Sequence, residues 1–139
     1  MKTKIDKLLI QLMNLHPKYI DLSLDRIKAL LNKLGNPHLN LSPTIHIAGT
    51  NGKGSTLSYL KHILNYNGYS VNAYISPHLS KFNERIVLNN KEVSTKQLLT
   101  CLQYVKSVNQ DKPITFFEIT TAAAFLLFTK TKADFLILE

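Results

Sequence analysis

Three glycines and a lysine within seven residues, Gly49-Thr50-Asn51-Gly52-Lys53-Gly54-Ser55, constrain this chain more than any other stretch. Glycine at 49, 52 and 54 permits positive φ and close approach of the backbone to another group. Before the loop, Thr44 to Ala48 is rich in β-branched residues and reads as a buried strand. After it, Leu57, Leu60, Ile63 and Leu64 recur at helical spacing from Ser55 to about Asn67, and Gly68 is a natural stop. Val71 to Ile75 reads as a second short strand. Strand, loop, helix and strand in that order form a βαβ unit, whose right-handed crossover makes the strands parallel. The expected class is α/β: a partial parallel sheet with a P-loop-type βαβ nucleotide-binding unit and flanking helices.

A strand followed by a glycine loop and a helix is where phosphate binds in such sheets. The helix offers unpaired N–H groups and its dipole. Lys53 supplies a point charge for the outer phosphates, and Ser55 or Thr56 can donate a hydroxyl. The pattern departs from GxxxxGK[ST], because Gly54 follows the lysine and serine comes one position later. That departure argues against a P-loop kinase. A mere tight turn is the plain alternative, weakened by the strand before the loop and the helix after it.

Elsewhere, Lys4 to Asn14 reads as a helix with Ile5, Leu8, Leu9 and Leu12 on one face. Ser23 is the expected N-cap of a second helix carrying Ile27, Leu30, Leu31 and Leu34, with Gly35 as its stop. Residues 36–43 form a linker with two prolines. Ser76 to Glu84 is loop-like, and Ile86 to Leu88 pairs with residues around Val93 across Asn89-Asn90. Ser94-Thr95-Lys96-Gln97 fits a capping box for a helix with Leu98, Leu102 and Val105. Pro113 breaks that run, Phe116 to Thr129 is a helix apolar nearly all round, and Phe135 to Leu138 is a third buried strand. The 139 residues suggest one domain, with 1–43 a helical lead-in and linker and 44–139 the core.

Lysine and arginine total 17 against 9 acids, a net charge of +8, which favours anionic partners. The lysines are scattered and no basic block interleaved with aromatics occurs, which weighs against a nucleic-acid-binding domain. A single cysteine, Cys101, excludes an internal disulfide framework. No His/Cys cluster suggests zinc. The basic, apolar start lacks the continuous apolar core of a secretory signal. Ala122 to Phe128 is too short to span a membrane. A cytoplasmic location is the expectation.

Several runs together resemble folylpolyglutamate/dihydrofolate synthase, of the Mur-ligase-like superfamily. They are His46-Ile47-Ala48 with the glycine loop, Gly68-Tyr69-Ser70-Val71, and Ser76-Pro77-His78-Leu79-Ser80-Lys81-Phe82-Asn83-Glu84-Arg85-Ile86, the most specific of them. Phe116 to Phe125, Asp134 to Glu139 and Asp21-Leu22-Ser23-Leu24-Asp25-Arg26 also fit, in the family's order. The resemblance implies ATP-dependent joining of L-glutamate to a folate or dihydropteroate carboxylate through an acyl phosphate. It implies that Asn51, Gly52, Lys53, Gly54 and Ser55 hold the ATP phosphates, with Lys53 catalytic. Ser76 and Glu139 become ligands of Mg2+. Asp21, Leu22, Ser23 and Leu24, with Phe117, Glu118, Ile119 and Thr120, help form the folate pocket.

Taken alone, Ser76 before Pro77 reads as a turn, Glu118 as a solvated helix-start acid or local cap, and Asp21 as a helix-entry acid. Glu139, as a chain terminus, reads as a frayed residue. The resemblance also implies an amino-terminal piece of a truncated ATPase domain. The third metal ligand, the rest of the sheet and the second domain would follow Glu139, leaving the last strand near an unfinished sheet. Marginal stability and no ligation by the chain alone are therefore expected. Two alternatives stay open: a non-catalytic ATP-binding module working with a separately encoded remainder, and a basic nucleic-acid-binding domain.

Overall fold

A computed structural model describes residues 3–18 and 21–139. They group into two compact units, Met1–Leu39 with Thr95–Leu126, and Asn40–Ser94 with Leu127–Glu139.

The first unit is helical. Its elements are α1 (Lys4–Met13), α2 (Asp25–Lys33), and, further along the chain, α4 (Thr95–Asn109) and the greater part of α5 (Phe116–Lys130). A reciprocal capping box starts α1: Thr3 Oγ1 accepts from the Asp6 amide, and Asp6 Oδ2 accepts from the Thr3 amide at 2.8 Å. The expected Ser23 cap of α2 is displaced. Leu24 occupies the N-cap position, and Ser23 Oγ accepts the Asp25 amide at 3.3 Å. Gly35, with φ +83°, ends α2 as expected. Asn36 N–H donates to Leu31 O at 2.8 Å and Gly35 N–H to Asn32 O at 3.1 Å, a Schellman closure. Leu8 and Leu12 of α1, Leu30 and Leu31 of α2, Leu98, Leu102 and Val105 of α4, and Ile119 and Ala122 to Ala124 of α5 are buried. Each large side chain among them contributes about 1.5–3 kcal/mol by leaving water.

The second unit holds a five-stranded sheet. Its strands are β1 (Thr44–His46), β2 (Val71–Tyr74), β3 (Ile86–Leu88), β4 (Lys91–Glu92) and β5 (Phe135–Leu138), in the order β1-β5-β2-β3-β4. Strands β1, β5 and β2 run parallel; β3 and β4 continue the sheet antiparallel. The expected βαβ unit is present, with α3 (Lys53–Tyr66) joining β1 to β2, but β5 inserts between those two strands. The last strand, β5, is hydrogen-bonded on both sides. The two edge strands are β4 and β1, and in β1 Thr44 and His46 are exposed. The strand expected to be buried is instead largely exposed at this edge.

Helix α3 covers one face of the sheet. Leu57, Val71, Ala73, Val87 and Ile137 form the buried cluster, flanked by Ile47, Leu60, Leu64 and Ile75. Asn89 and Asn90, with φ +50° and +69°, make the expected two-residue hairpin turn between β3 and β4. Fully buried Asn72 is satisfied on both sides: its Nδ2 donates to Thr131 O at 2.6 Å, and its Oδ1 accepts the Asn89 amide at 2.7 Å. Among the described residues, no helix is long and apolar enough to cross a membrane.

Candidate functional site

The glycine loop begins where β1 ends. Ile47 N–H donates to Leu138 O at 2.7 Å, so the loop departs beside the end of β5. Gly49 has φ +152° and Gly52 φ +75°. Gly52 is the N-cap of α3, which starts at Lys53, earlier than the expected Ser55. Gly54 thus lies in the helix's first turn without positive φ, and a Cβ there would meet open space. Its absent side chain leaves room for a ligand and serves no turn. The Thr56 amide makes the bond to Gly52 O, at 2.9 Å, that opens the helix. The N–H groups of Lys53, Gly54 and Ser55 before it lack helical acceptors, which is the geometry that receives phosphate oxygens. Ser55 and Thr56 are both exposed, but Thr56 Oγ1 already donates to Gly52 O at 2.8 Å. Lys53 Nζ folds back across the loop onto Gly49 O at 2.8 Å.

Ser76 and Glu139 emerge at the same end of the sheet. Tyr74 and Leu138 are register partners on β2 and β5, and His46 is the partner of Leu138 on β1. The loop, Ser76 and Glu139 therefore all follow the carboxyl ends of three neighbouring parallel strands, the position where open α/β sheets bind ligands. Glu139 is not frayed: its amide donates to Tyr74 O at 3.0 Å. Its Oε2 is buried without a hydrogen-bond partner among the described residues. A carboxylate oxygen so placed costs free energy unless a donor or a cation reaches it. A serine hydroxyl and a carboxylate are hard oxygen donors, suited to Mg2+ or Mn2+. Among the described residues no group of three His, Cys, Asp or Glu side chains could hold a metal.

The Ser76–Glu84 stretch turns out to be a self-tied loop. Glu84 accepts the amides of Leu79, Ser80 and Lys81 at 2.7, 2.9 and 2.8 Å. The Lys81 and Leu79 amides hold its carboxyl below the ordinary value, against burial. Arg85 Nε donates to His78 Nδ1 at 2.8 Å, and its guanidinium lies 5.2 Å from the Phe82 ring centre. Burial and then Arg85 push the His78 pKa down. The most specific motif is thus held together largely by bonds among its own residues.

The first unit carries its own cluster. Glu118, expected as a solvated acid or a local cap, is buried and caps α5. Its Oε2 accepts the Thr115 amide at 2.8 Å and Thr115 Oγ1 at 2.9 Å, while the Glu118 amide donates back to Thr115 Oγ1. Arg26 donates Nε and Nη2 to the same carboxylate, both at 3.0 Å. Arg26 also reaches Asp21, through Nη1 to Oδ2 at 3.2 Å and Nη2 to the carbonyl at 3.0 Å. Burial pulls the Glu118 pKa up, but Arg26 and Thr115 outweigh it and hold the group below its ordinary value. Leu22, Leu24 and Phe117 stand exposed at 96%, 64% and 53%. Ser23 is half-buried. Ile119 and Thr120 are fully buried, with Thr120 Oγ1 on Phe116 O at 2.8 Å, so both sit in the core beneath the helix start. Arg26 closes the Asp21–Arg26 run that carries part of the resemblance, without a role of its own there, and Thr115 lies just outside the Phe116–Phe125 run. The spacing Thr115-x-x-Glu118 is the capping-box signal that could have found one of them.

No protein-family model matches the chain. A curated dihydrofolate synthase/folylpolyglutamate synthase from Haemophilus influenzae is 39% identical over 124 residues, covering 89% of this chain and 28% of that protein. The solved Escherichia coli FolC in complex with DHPP and ADP superposes with a TM-score of 0.88 at 35% identity, over 99% of this chain and 33% of that one. A Yersinia pestis folylpolyglutamate synthase/dihydrofolate synthase complexed with AMPPNP and Mn ion gives 0.88 at 33% identity, over 99% and 33%. The chain thus spans about a third or less of the length of these relatives.

Proposed function

We infer that this chain, which corresponds in sequence and fold to the amino-terminal part of folylpolyglutamate/dihydrofolate synthases, supplies the phosphate-binding half of an ATP-dependent ligase. The observation that carries this reading is the meeting of the glycine loop with Ser76 and a buried, unpartnered Glu139 oxygen at one end of the sheet. The N–H groups of the first turn of α3 receive phosphate oxygens, and Lys53 exchanges Gly49 O for the outer phosphate. Ser76 and Glu139 would hold Mg2+, which neutralises charge on the phosphates when bound.

The reaction proposed is transfer of the γ-phosphoryl group of ATP to a folate or dihydropteroate carboxylate. ADP leaves and an acyl phosphate forms. The amine of L-glutamate then attacks the acyl carbon, phosphate departs, the nitrogen loses a proton and an amide results. Asp21, Leu22, Ser23, Leu24, Phe117 and Glu118 serve the folate side, with Ile119 and Thr120 supporting them from the core. The relatives bind ADP, AMPPNP, Mn and DHPP by name, which supports nucleotide, divalent metal and pterin as ligands here. Glutamate binding and completion of the site belong to the remaining two-thirds of such ligases, in this polypeptide or in a separate one. The test is calorimetry of Mg-ATP with the natural chain and Lys53→Ala. Binding that Lys53→Ala weakens is expected; equal affinities would remove the phosphate-site reading.

A further inference from the structure

We propose that Arg26 is a positioning residue for a flat heteroaromatic ligand of the dihydropteroate class, holding the Asp21–Leu24 segment to the first turn of α5. The proposal rests on the folate reading above and adds to it the residue on which that side depends. One guanidinium makes four hydrogen bonds, two to the Glu118 carboxylate and two to Asp21. Glu118 is itself the cap of α5, so Arg26 grips the start of the helix rather than a loose side chain. The pair is enclosed, with side-chain exposures of 20% and 9%, unlike a solvated surface pair of little consequence. His16 Nε2 lies 3.6 Å from Asp21 Oδ2, the oxygen that Arg26 also contacts.

The residues flanking this anchor point to a ligand. Leu22 and Leu24 follow Asp21, Phe117 precedes Glu118, and all three are exposed while the Arg26–Glu118 pair beside them is shielded. Apolar exposed beside polar buried inverts the usual arrangement, and suits an apolar ring face with a fixed frame behind it. The frame needs a planar fork with fixed donor directions, which lysine cannot supply.

The test measures dihydropteroate and Mg-ATP affinities and melting curves for the natural chain, Arg26→Lys and Arg26→Gln. Glu118→Gln, which keeps an acceptor for the Thr115 amide, replaces any variant that does not fold. Folded variants are expected to keep Mg-ATP affinity and to lose about tenfold or more for dihydropteroate, Arg26→Lys included. The proposal is overturned if folded Arg26→Lys binds dihydropteroate as the natural chain does. It is equally overturned if both ligands are lost in step with the fold, the mark of a merely structural ion pair. A folded natural chain that binds Mg-ATP but not dihydropteroate gives a different result: the folate reading itself falls, and this proposal with it.

Discussion

Arg26 and Glu118, 92 positions apart in sequence, share two parallel hydrogen bonds of 3.0 Å, and the same carboxylate closes the first turn of α5 on Thr115. Cap and ion pair are separable by mutation. Thr115→Ala removes the hydroxyl from the reciprocal cap and should cost about 1 kcal/mol. Glu118→Ala removes cap and ion pair together and leaves Arg26 without its main partner, so its loss should exceed that of Thr115→Ala. Urea unfolding of both variants checks the order; equal losses would mean that Arg26 adds nothing.

Stability should fall with acid in two stages. Burial and Arg85 hold the folded His78 pKa below its ordinary 6.5. The unfolded chain therefore takes that proton first, and stability begins to decline below about pH 6.5. Glu118 and Glu84 sit below their ordinary 4.5, and Asp134, bonded to the Ser70 amide and hydroxyl, below 3.8. Their contributions are present above those values and are lost as pH falls through the lower folded pKa values, steepening the decline. Unfolding midpoints followed from about pH 7 to pH 3 should show both limbs. Glu118→Gln should flatten only the acid limb, and an unchanged slope would exclude its part.

Gly52 and Gly54 should respond to alanine in opposite ways. At Gly52 the φ of +75° is strained for any side chain although no atom crowds it, so Gly52→Ala should cost about 1–2 kcal/mol. Gly54 has helical geometry and open space, so Gly54→Ala should leave stability unchanged or raise it by up to about 1 kcal/mol. Both should weaken Mg-ATP. Retained affinity in folded Gly54→Ala would show that ligand does not approach the first turn of α3.

Glu139→Gln replaces a buried, unpartnered carboxylate oxygen. The variant should melt no lower than the natural chain without divalent ions. Mg2+ or Mn2+ should raise the melting temperature of the natural chain and not that of the variant. A similar rise in both would place the metal elsewhere.

Asn72→Ala should lose about 1–3 kcal/mol, because Thr131 O and the Asn89 amide lose their partner in the core. Asn72→Asp tests the same point: a carboxylate cannot donate to Thr131 O and should be at least as costly. Chemical denaturation measures both.

Local rules made much of this legible in the residues alone. Gly35 and Gly68 end their helices in left-handed geometry, since only glycine takes it without cost, and Asn89-Asn90 turns the hairpin for a related reason. The glycine loop lies between strand and helix as its pattern demanded, because phosphate-type loops are set by backbone conformation within a few residues. What the tertiary structure decided depends on distant pairings. Nothing in Thr44-Ile45-His46 says that β5 lies on one side and nothing described on the other, so the burial of β1 was misread. Glu118 carries the same side chain whether solvated or clamped; the clamp depends on Arg26 arriving from another helix. Glu139 is a candidate ligand by resemblance alone until strand register sets it beside Tyr74, at the end where the glycine loop leaves β1. Short-range conformational preference is written residue by residue, whereas strand order and buried charge pairs are chosen by the free energy of the whole packed chain.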